Sequence, residues 1–326
     1  MKATGEPPRY LLTCGEVRTG LLPTLHCLDG RDAARLLGLR TDERVRVSER
    51  PNLYARSPDV LTGVDCRLPT DNDAKVRAIG TVAARAVLTE GRILQATAYF
   101  SAPAAGLDQR QPWGYYLVRP GVLVPLGRLP ERAVAAGFLT QGQAMSSAGE
   151  LGIGSIAEGL LSHLSRHPLL DHGVPFKSRR TRLRWAALPV QDGATASIER
   201  FTLDDDGLRT VELRLPQGTE PAAVAGLCED LALHDWLLTT VVRRLDGIRT
   251  GAAESTTAMR VMRPLVDHLL HLWMPGARVD RVLSPLWEVL ETEPGFTRQW
   301  QTLVQRIRDQ LTLQAIAAPS TAQTAP

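Results

Sequence analysis

Residues 180–216 read RTRLRWAALPV, QDGA, TASIERFTL, DDDG and LRTVELRLP. The three longer runs are rich in strand-forming residues, and the two short runs contain the turn pairs Asp192-Gly193 and Asp206-Gly207. This pattern predicts a three-stranded antiparallel meander in which each strand pairs with the next. The meander separates a β-rich first part of the chain from a helical last part.

The first 130 residues are predicted to consist mostly of strands. Four apolar runs flank two Gly-containing turns, Thr89-Glu90-Gly91 and Arg119-Pro120-Gly121, and each turn predicts a hairpin. The runs cover residues 76–88, 93–100, 115–118 and 122–124. Asp29 is a candidate cap for one short helix. Residues 44–70 contain three prolines and predict loops, which serve either as structural turns or as the carriers of function.

From Thr219 onward, apolar residues recur at helical spacing, with Pro264 as an internal kink or end. The sequence therefore predicts an α+β protein. Its expected parts are a β-rich domain over 1–130, helices plus the meander over 131–218, a helical region over 219–316 and a disordered tail over 317–326.

The basic residues are strongly skewed toward arginine. The 326 residues include 35 arginines and three lysines, with a net charge of +3. Residues 1–130 carry 18 basic and 13 acidic groups, and the remainder carries 20 and 22. A protein that coats a polyanion needs a larger surplus, so nucleic-acid binding would be confined to a local patch. The skew reflects either GC-rich codons or selection for guanidinium groups at an anionic site.

The densest basic strip is KSRRTRLRW, residues 177–185. On a strand, Arg180, Arg182 and Arg184 project from one face, because side chains alternate. Three guanidinium groups on one face would attract phosphate, a nucleic-acid backbone or an acidic protein surface. In the alternative interpretation, carboxylates of the meander such as Glu199 and Glu212 pair with these arginines across strands.

No motif in the chain identifies a reaction. The glycine-rich stretch GELGIGS (149–155) lacks the lysine of a P-loop, and no Gly-x-Ser-x-Gly sequence occurs. The four cysteines form no CxxC pair, and His163 and His167 lack a convergent third metal ligand. We therefore predict no catalytic residues, no metal and no cofactor.

The chain shows no sign of a membrane or a secretory context. No uncharged apolar run approaches the roughly 20 residues of a membrane span, and the start of the sequence lacks the apolar segment of a signal peptide. We expect a cytoplasmic protein with reduced thiols and without membrane contact.

Four stretches resemble an uncharacterised family of actinobacterial proteins whose genes lie in a conserved cluster. They are GEVRTGLL (15–22), RVRVSERPNLYARSPDVLTGVDCRLPT (44–70), GTVAARAVLTEGRILQATA (80–98) and, more weakly, HDWLLTTVVRRL (234–245). The family's neighbours include a variant P-loop protein and a methyltransferase-like protein, so the resemblance implies a part in a multi-protein system. It directs attention to the polar residues of 44–70, for which a proline-stabilised turn is the alternative. These residues are Asn52, Tyr54, Arg56, Asp59 and Asp65.

Three functional hypotheses follow. The first is an intracellular interaction or regulatory subunit with protein partners and no chemistry of its own. The second is an enzyme or cofactor-binding subunit acting on a phosphate or carboxylate ligand, for which a pocket lined by arginine and by the 44–70 loop would be expected. The third is local nucleic-acid binding. The candidate partner-binding residues are Arg180, Arg182, Arg184, Asn52, Tyr54 and Arg56.

Overall fold

The computed structural model describes residues 9–72, 74–104, 106–140, 149–190, 194–203, 207–249 and 255–317. Within these residues the protein is α+β, with one mixed sheet of ten strands and most of the helical residues in the C-terminal third. The strands are β1 Tyr10–Leu21, β2 Arg46–Ser48, β3 Tyr54–Arg56, β4 Val60–Leu68, β5 Val76–Thr89, β6 Ile93–Pro103, β7 Leu123–Pro125, β8 Thr181–Pro189, β9 Ser197–Leu203 and β10 Leu208–Leu215. The helices are α1 Gly30–Leu36, α2 Trp113–Leu117, α3 Glu131–Thr140, α4 Ile153–Ser165, α5 Pro221–Arg249, α6 Ser255–His268, α7 Pro285–Thr292 and α8 Phe296–Ala317, with a 3-10 turn at Leu270–Leu272.

The order of strands in the sheet is β2-β3-β5-β6-β1-β8-β10-β9, and β4 and β7 also pair with β5. Strand β1 lies between β6 and β8 and is antiparallel to both. The sheet thus joins strands from the first two predicted segments of the chain.

The α+β class, the β-rich first part and the helical last part are confirmed. The long hairpin of β5 and β6 and the cap of α1, where Asp29 Oδ1 accepts the N–H of Asp32 at 2.8 Å, are also as predicted. Pro264 lies inside α6. The turn residues 191–193 and 204–206, and residues 318–326 of the expected tail, lie outside the described residues, whereas Ala317 belongs to α8.

The predicted meander is wrong in its strand order. Strands β9 and β10 form the expected antiparallel pair, but β8 pairs with β10, in parallel, and β9 forms the edge of the sheet. Strand β10 is mostly buried, whereas Glu199 and Arg200 of β9 are exposed. A polar strand suits a sheet edge, where charged side chains discourage pairing with other chains.

Two further local predictions are wrong. Residues 115–117 of the expected strand at 115–118 belong to helix α2 and Val118 caps its C-terminus; Tyr116 is buried, and its hydroxyl accepts the Gln111 N–H at 3.0 Å. Residues 44–70 are not only loops, because they contain β2, β3 and β4.

The helices cover both faces of the sheet, which divides the core. Helices α3 and α4 pack with Cys14, Phe100 and Ala186 on one face, which we call the α3/α4 face. Helices α5 to α8 pack with Val17, Trp185 and other apolar residues on the opposite face, which we call the α5 face. Side-chain alternation along β1 and β8 therefore sends neighbouring residues into different environments.

Candidate functional site

The basic strip lies on β8 and the loop before it, on the α3/α4 face. Arg184 is opposite Glu16 of β1, and Arg182 is opposite Arg18. The Nε and Nη2 atoms of Arg184 donate to Glu16 Oε2 at 3.0 and 2.8 Å. We call Arg18, Arg180, Arg182 and Arg184, together with Glu16 and Glu158, the arginine cluster.

Arg184 and Glu16 form the buried base of the arginine cluster. The Glu16 side chain is fully buried, and its Oε1 also lies 2.7 Å from Arg18 Nε. Arg184 Nη1 donates to the carbonyl oxygen of Phe138 at 3.0 Å, near the C-terminal end of α3, where the helix dipole favours a cation. This arrangement compensates the charge of Arg184, whose side chain is 9% exposed.

The outer part of the arginine cluster is formed around Glu158 of α4. Its Oε1 pairs with Arg180 and its Oε2 lies 3.4 Å from Arg18 Nη1. The side chains of Arg180 and Glu158 are 45% and 35% exposed. The start of α4 lies close to the sheet because residue 154 is glycine, and a Cβ there would lie 2.6 Å from Glu16 Oε1.

Arg182 differs from its neighbours. It is half-buried, and its side chain makes no hydrogen bond or ion pair with any residue that the structure describes. It directly faces Arg18 across the strand pair, an arrangement in which like charges repel. The arginine cluster holds four guanidinium groups and two carboxylates, so an oxyanion at its surface would relieve this repulsion.

The alternative pairing of the strip with Glu199 and Glu212 is wrong for Arg180 and Arg184. Glu212 instead lies 3.3 Å from Arg214 and 3.9 Å from Arg200, and Glu199 lies 3.9 Å from Arg214. The carboxylates that compensate the strip come from β1 and α4, which are distant in sequence.

The structure places Asn52 and Tyr54 away from the arginine cluster, in contact with the C-terminal region. Arg278 stacks over the ring of Tyr54 at 4.4 Å and donates to Thr89 Oγ1 at 3.3 Å. The side-chain amide of Asn52 donates to the sulfur of Met274. Burial, together with the nearby charge of Glu229, raises the pKa of Tyr54 to about 12. Both residues therefore attach the loop over residues 274–278 to the sheet. Arg56 follows Tyr54 by two positions on β3 and is half-buried.

The two aspartates of the same segment also have separate environments. Asp59 Oδ2 accepts the hydroxyl of Tyr99 at 2.8 Å, in the wall of a cavity of about 480 Å³ at the start of α5. The described lining includes Tyr10, Ser101 and Glu220 but no arginine or lysine. Asp65 is bound by Arg77 at 2.8 and 2.9 Å, and this hydrogen bonding lowers the pKa of the Asp65 carboxyl. The segment thus contributes one carboxylate, that of Asp59, to this cavity, and the phenol that binds it belongs to Tyr99 of β6.

Sequence reasoning missed a set of buried polar residues on α5. Arg85 donates from Nε and Nη2 to the two carboxylate oxygens of Glu229 at 2.7 and 2.9 Å. The Glu229 side chain is 3% exposed and that of Arg85 is 2% exposed. Asp235 accepts Arg209 Nε at 2.8 Å. The Asp230 carboxylate accepts the Gly276 N–H at 2.7 Å. In the sequence, these residues stand out as two polar pairs, Glu229-Asp230 and His234-Asp235, within a mostly apolar helical segment.

His234, in the same set, is held as a neutral imidazole. Its Nδ1–H donates to the Asp230 carbonyl oxygen at 2.7 Å, and its Nε2 accepts the Met274 N–H at 3.2 Å. The rings of Trp273 and Trp287 meet it edge to face. Burial lowers the pKa of His234 and raises that of the Asp230 carboxyl. These groups join α5 to the segment before α7.

The described residues show neither a metal centre nor a helix that could span a membrane. They contain no group of three or more His, Cys, Asp or Glu side chains placed to hold a metal ion. None of the described helices is both long and apolar enough to cross a membrane.

The fold and these sites define an α+β protein with a ten-stranded mixed sheet and a partly solvent-exposed arginine cluster. No protein-family model, curated protein sequence or solved structure matched the chain.

Proposed function

We propose that this protein is a binding subunit of a multi-protein system and that its arginine cluster receives an acidic segment of a partner protein. The observation that carries the proposal is Arg182, which has no described partner and faces Arg18. Carboxylates of a partner would supply the missing counter-charge, because guanidinium forks bind carboxylates with two parallel hydrogen bonds.

The graded burial of the arginine cluster supports the same proposal. Arg184 and Glu16 are buried and rigidly paired, whereas Arg180 is nearly half exposed. A site of this kind holds its outer guanidinium groups in position before binding, which lowers the entropy cost of association. The proposal places the protein in the cytoplasm, where its four cysteines remain free thiols.

The test is binding of a fluorescein-labelled peptide of alternating Asp and Glu to the full chain, followed by fluorescence anisotropy. The Arg180→Gln/Arg182→Gln variant is expected to bind about tenfold more weakly or worse, which corresponds to about 1.4 kcal/mol. The matched control is Arg200→Gln/Arg263→Gln, which removes the same charge at side chains that are 67% and 80% exposed elsewhere. The control is expected to change affinity less than twofold.

Measurements at different salt concentrations and with other ligands distinguish binding of an acidic peptide from binding of nucleic acid or of a small anion. Raising NaCl from 50 to 300 mM should weaken peptide binding, since screening reduces interactions between exposed charges. Equal losses of affinity in the two double variants would refute a local site. A duplex DNA that binds more tightly than the peptide, through the same two arginines, would favour the nucleic-acid hypothesis, and preferential binding of inorganic phosphate would favour a small anionic ligand.

A further inference from the structure

Cys27 and Arg92 form a contact that none of the sequence motifs indicates. Cys27 is exposed and lies in the segment between β1 and α1, and Arg92 immediately precedes β6. Arg92 donates to the Cys27 sulfur from Nε at 3.2 Å and from Nη2 at 2.9 Å. Arg92 Nη2 also donates to the Leu25 carbonyl oxygen at 3.3 Å.

The backbone holds the two residues together. The N–H of Leu22 donates to the carbonyl oxygen of Arg92 at 2.7 Å, and the N–H of Leu28 donates to that of Gly91 at 3.1 Å. Gly91 has φ of 56°, and a Cβ at this position would lie 2.0 Å from the Leu28 carbonyl oxygen. The turn before β6 therefore lies directly against residues 22–28, and Arg92 is in contact with them.

The charge of Arg92 is buried and is not balanced by a carboxylate of the described residues. Arg92 is 3% exposed, its Nη1 is buried without a hydrogen-bond partner, and no carboxylate of the described residues forms an ion pair with it. By contrast, the other buried arginines, Arg85, Arg184 and Arg209, each have a carboxylate oxygen within 2.8 Å. A buried cation without a counter-charge is costly, and the group that accepts the Arg92 fork is the Cys27 sulfur.

We propose that Cys27 is a nucleophilic thiolate, held by Arg92, and a site of oxidation by hydroperoxides. The thiolate supplies the negative charge that Arg92 lacks, and a thiolate rather than a thiol attacks peroxide oxygen. The sulfur attacks one peroxide oxygen, an S–O bond forms and the O–O bond breaks. The sulfur loses two electrons and becomes a sulfenic acid, while the hydroperoxide is reduced and leaves as an alkoxide or hydroxide that takes a proton from water.

The surroundings allow this chemistry at Cys27 and disfavour it at the other cysteines. Burial raises the pKa of the Cys14 and Cys228 thiols, and it raises that of Cys66 to about 12. Near Cys27, the exposed carboxylate of Asp171 is already bound to the Leu25 N–H at 3.0 and 3.1 Å. The pKa of His268 is lowered by burial and by the charge of Arg92, so the positive field of Arg92 also reaches α6.

The first test measures the thiolate directly in the full chain. The absorbance of wild type at 240 nm, compared with Cys27→Ser at pH 7, should show one additional thiolate. In a competition assay, iodoacetamide should react with the Cys27 thiolate about tenfold faster than it reacts with the thiol of glutathione at the same pH. No thiolate difference between wild type and Cys27→Ser would overturn the proposal, and this comparison does not require any Arg92 variant to fold.

The second test separates the role of Arg92 from packing. Arg92→Met, which keeps the length of the side chain without its charge, should slow alkylation of Cys27 about tenfold or more, and Arg92→Lys should retain part of the rate. One equivalent of hydrogen peroxide followed by dimedone should label Cys27 in wild type, with Cys66→Ser as the control that leaves the label unchanged. A folded Arg92→Met protein that reacts at the wild-type rate, or dimedone absent from Cys27, would refute the proposal.

Discussion

The arginines of the α5 face and those in the outer part of the arginine cluster have opposite environments. On the α5 face, Arg85 and Glu229 are 2% and 3% exposed and form a closed pair. On the α3/α4 face, Arg180 and Glu158 are 45% and 35% exposed, and Arg182 has no described partner. An arginine-rich composition therefore has no single structural role, because burial decides whether a guanidinium group stabilises the fold or remains available to another molecule.

The largest effect is expected where the closed pair of the α5 face is broken. Glu229→Gln leaves the buried Arg85 without its counter-charge and should lower the free energy of unfolding by about 3–5 kcal/mol. Urea denaturation followed by circular dichroism measures this change. The double variant Arg85→Met/Glu229→Leu should recover much of the loss, and a double variant as unstable as Glu229→Gln would show that the charge imbalance is not the cause.

The base of the arginine cluster should behave like the α5 face, with a smaller loss. Glu16→Gln removes the counter-charge of buried Arg184, which keeps its bond to the Phe138 carbonyl oxygen. We expect a loss of about 3 kcal/mol in the same denaturation experiment. Stability within 0.5 kcal/mol of wild type would show that Glu16 is not the structural anchor of the cluster.

Burial of His234 on the α5 face predicts that the free energy of unfolding depends on pH. Its folded-state pKa is lowered by burial, so below about pH 6.5 the unfolded chain binds a proton that the folded chain does not. Stability should therefore decrease as the pH falls from 7 to 5.5, with a limiting slope of about 1.4 kcal/mol per pH unit for one proton. Because the pKa of the Asp230 carboxyl is also shifted, the quantity to measure is the difference between wild type and His234→Gln, and parallel stability curves would contradict the assignment.

The smallest effect on stability is expected at the outer part of the arginine cluster. Arg180→Gln breaks a pair that is exposed on both sides, and such pairs contribute about 0–1 kcal/mol. Thermal unfolding should therefore resemble that of the control variant Arg263→Gln. A loss above 2 kcal/mol would assign Arg180 to the fold rather than to a partner.

The sequence predicts those features of the fold that depend on neighbours along the chain. Apolar runs on both sides of a Gly-containing turn predicted β5 and β6, a run of strand-forming residues predicted β8, and Asp29 predicted the start of α1. Strand order could not be predicted from alternation, since β9 and β10 pair as expected yet β8 joins β10. The decisive difference is that β10 is mostly buried whereas β9 carries exposed charges, which becomes clear only once the rest of the sheet is in place.

The candidate sites were predictable to a smaller extent. The strip at Arg180, Arg182 and Arg184 was found from the residues alone, but Glu16 is separated from Arg184 by 168 residues and gave no local signal. Cys27 and Arg92 are 65 residues apart and meet only because the turn before β6 lies against the end of β1. Contacts of this kind depend on tertiary packing, which periodicity and motif spacing do not describe.

Arginine-specific labelling with phenylglyoxal, mapped by mass spectrometry with and without the acidic peptide, shows whether the arginine cluster is the surface that binds the peptide. Without peptide, Arg180 and Arg182 should react while the buried Arg85 and Arg209 do not. With peptide, Arg180 and Arg182 should be protected, and the exposed Arg263 should react as before. Equal protection of Arg263 and Arg182, or no protection of either, would contradict the assignment of the arginine cluster as the binding site for an acidic partner.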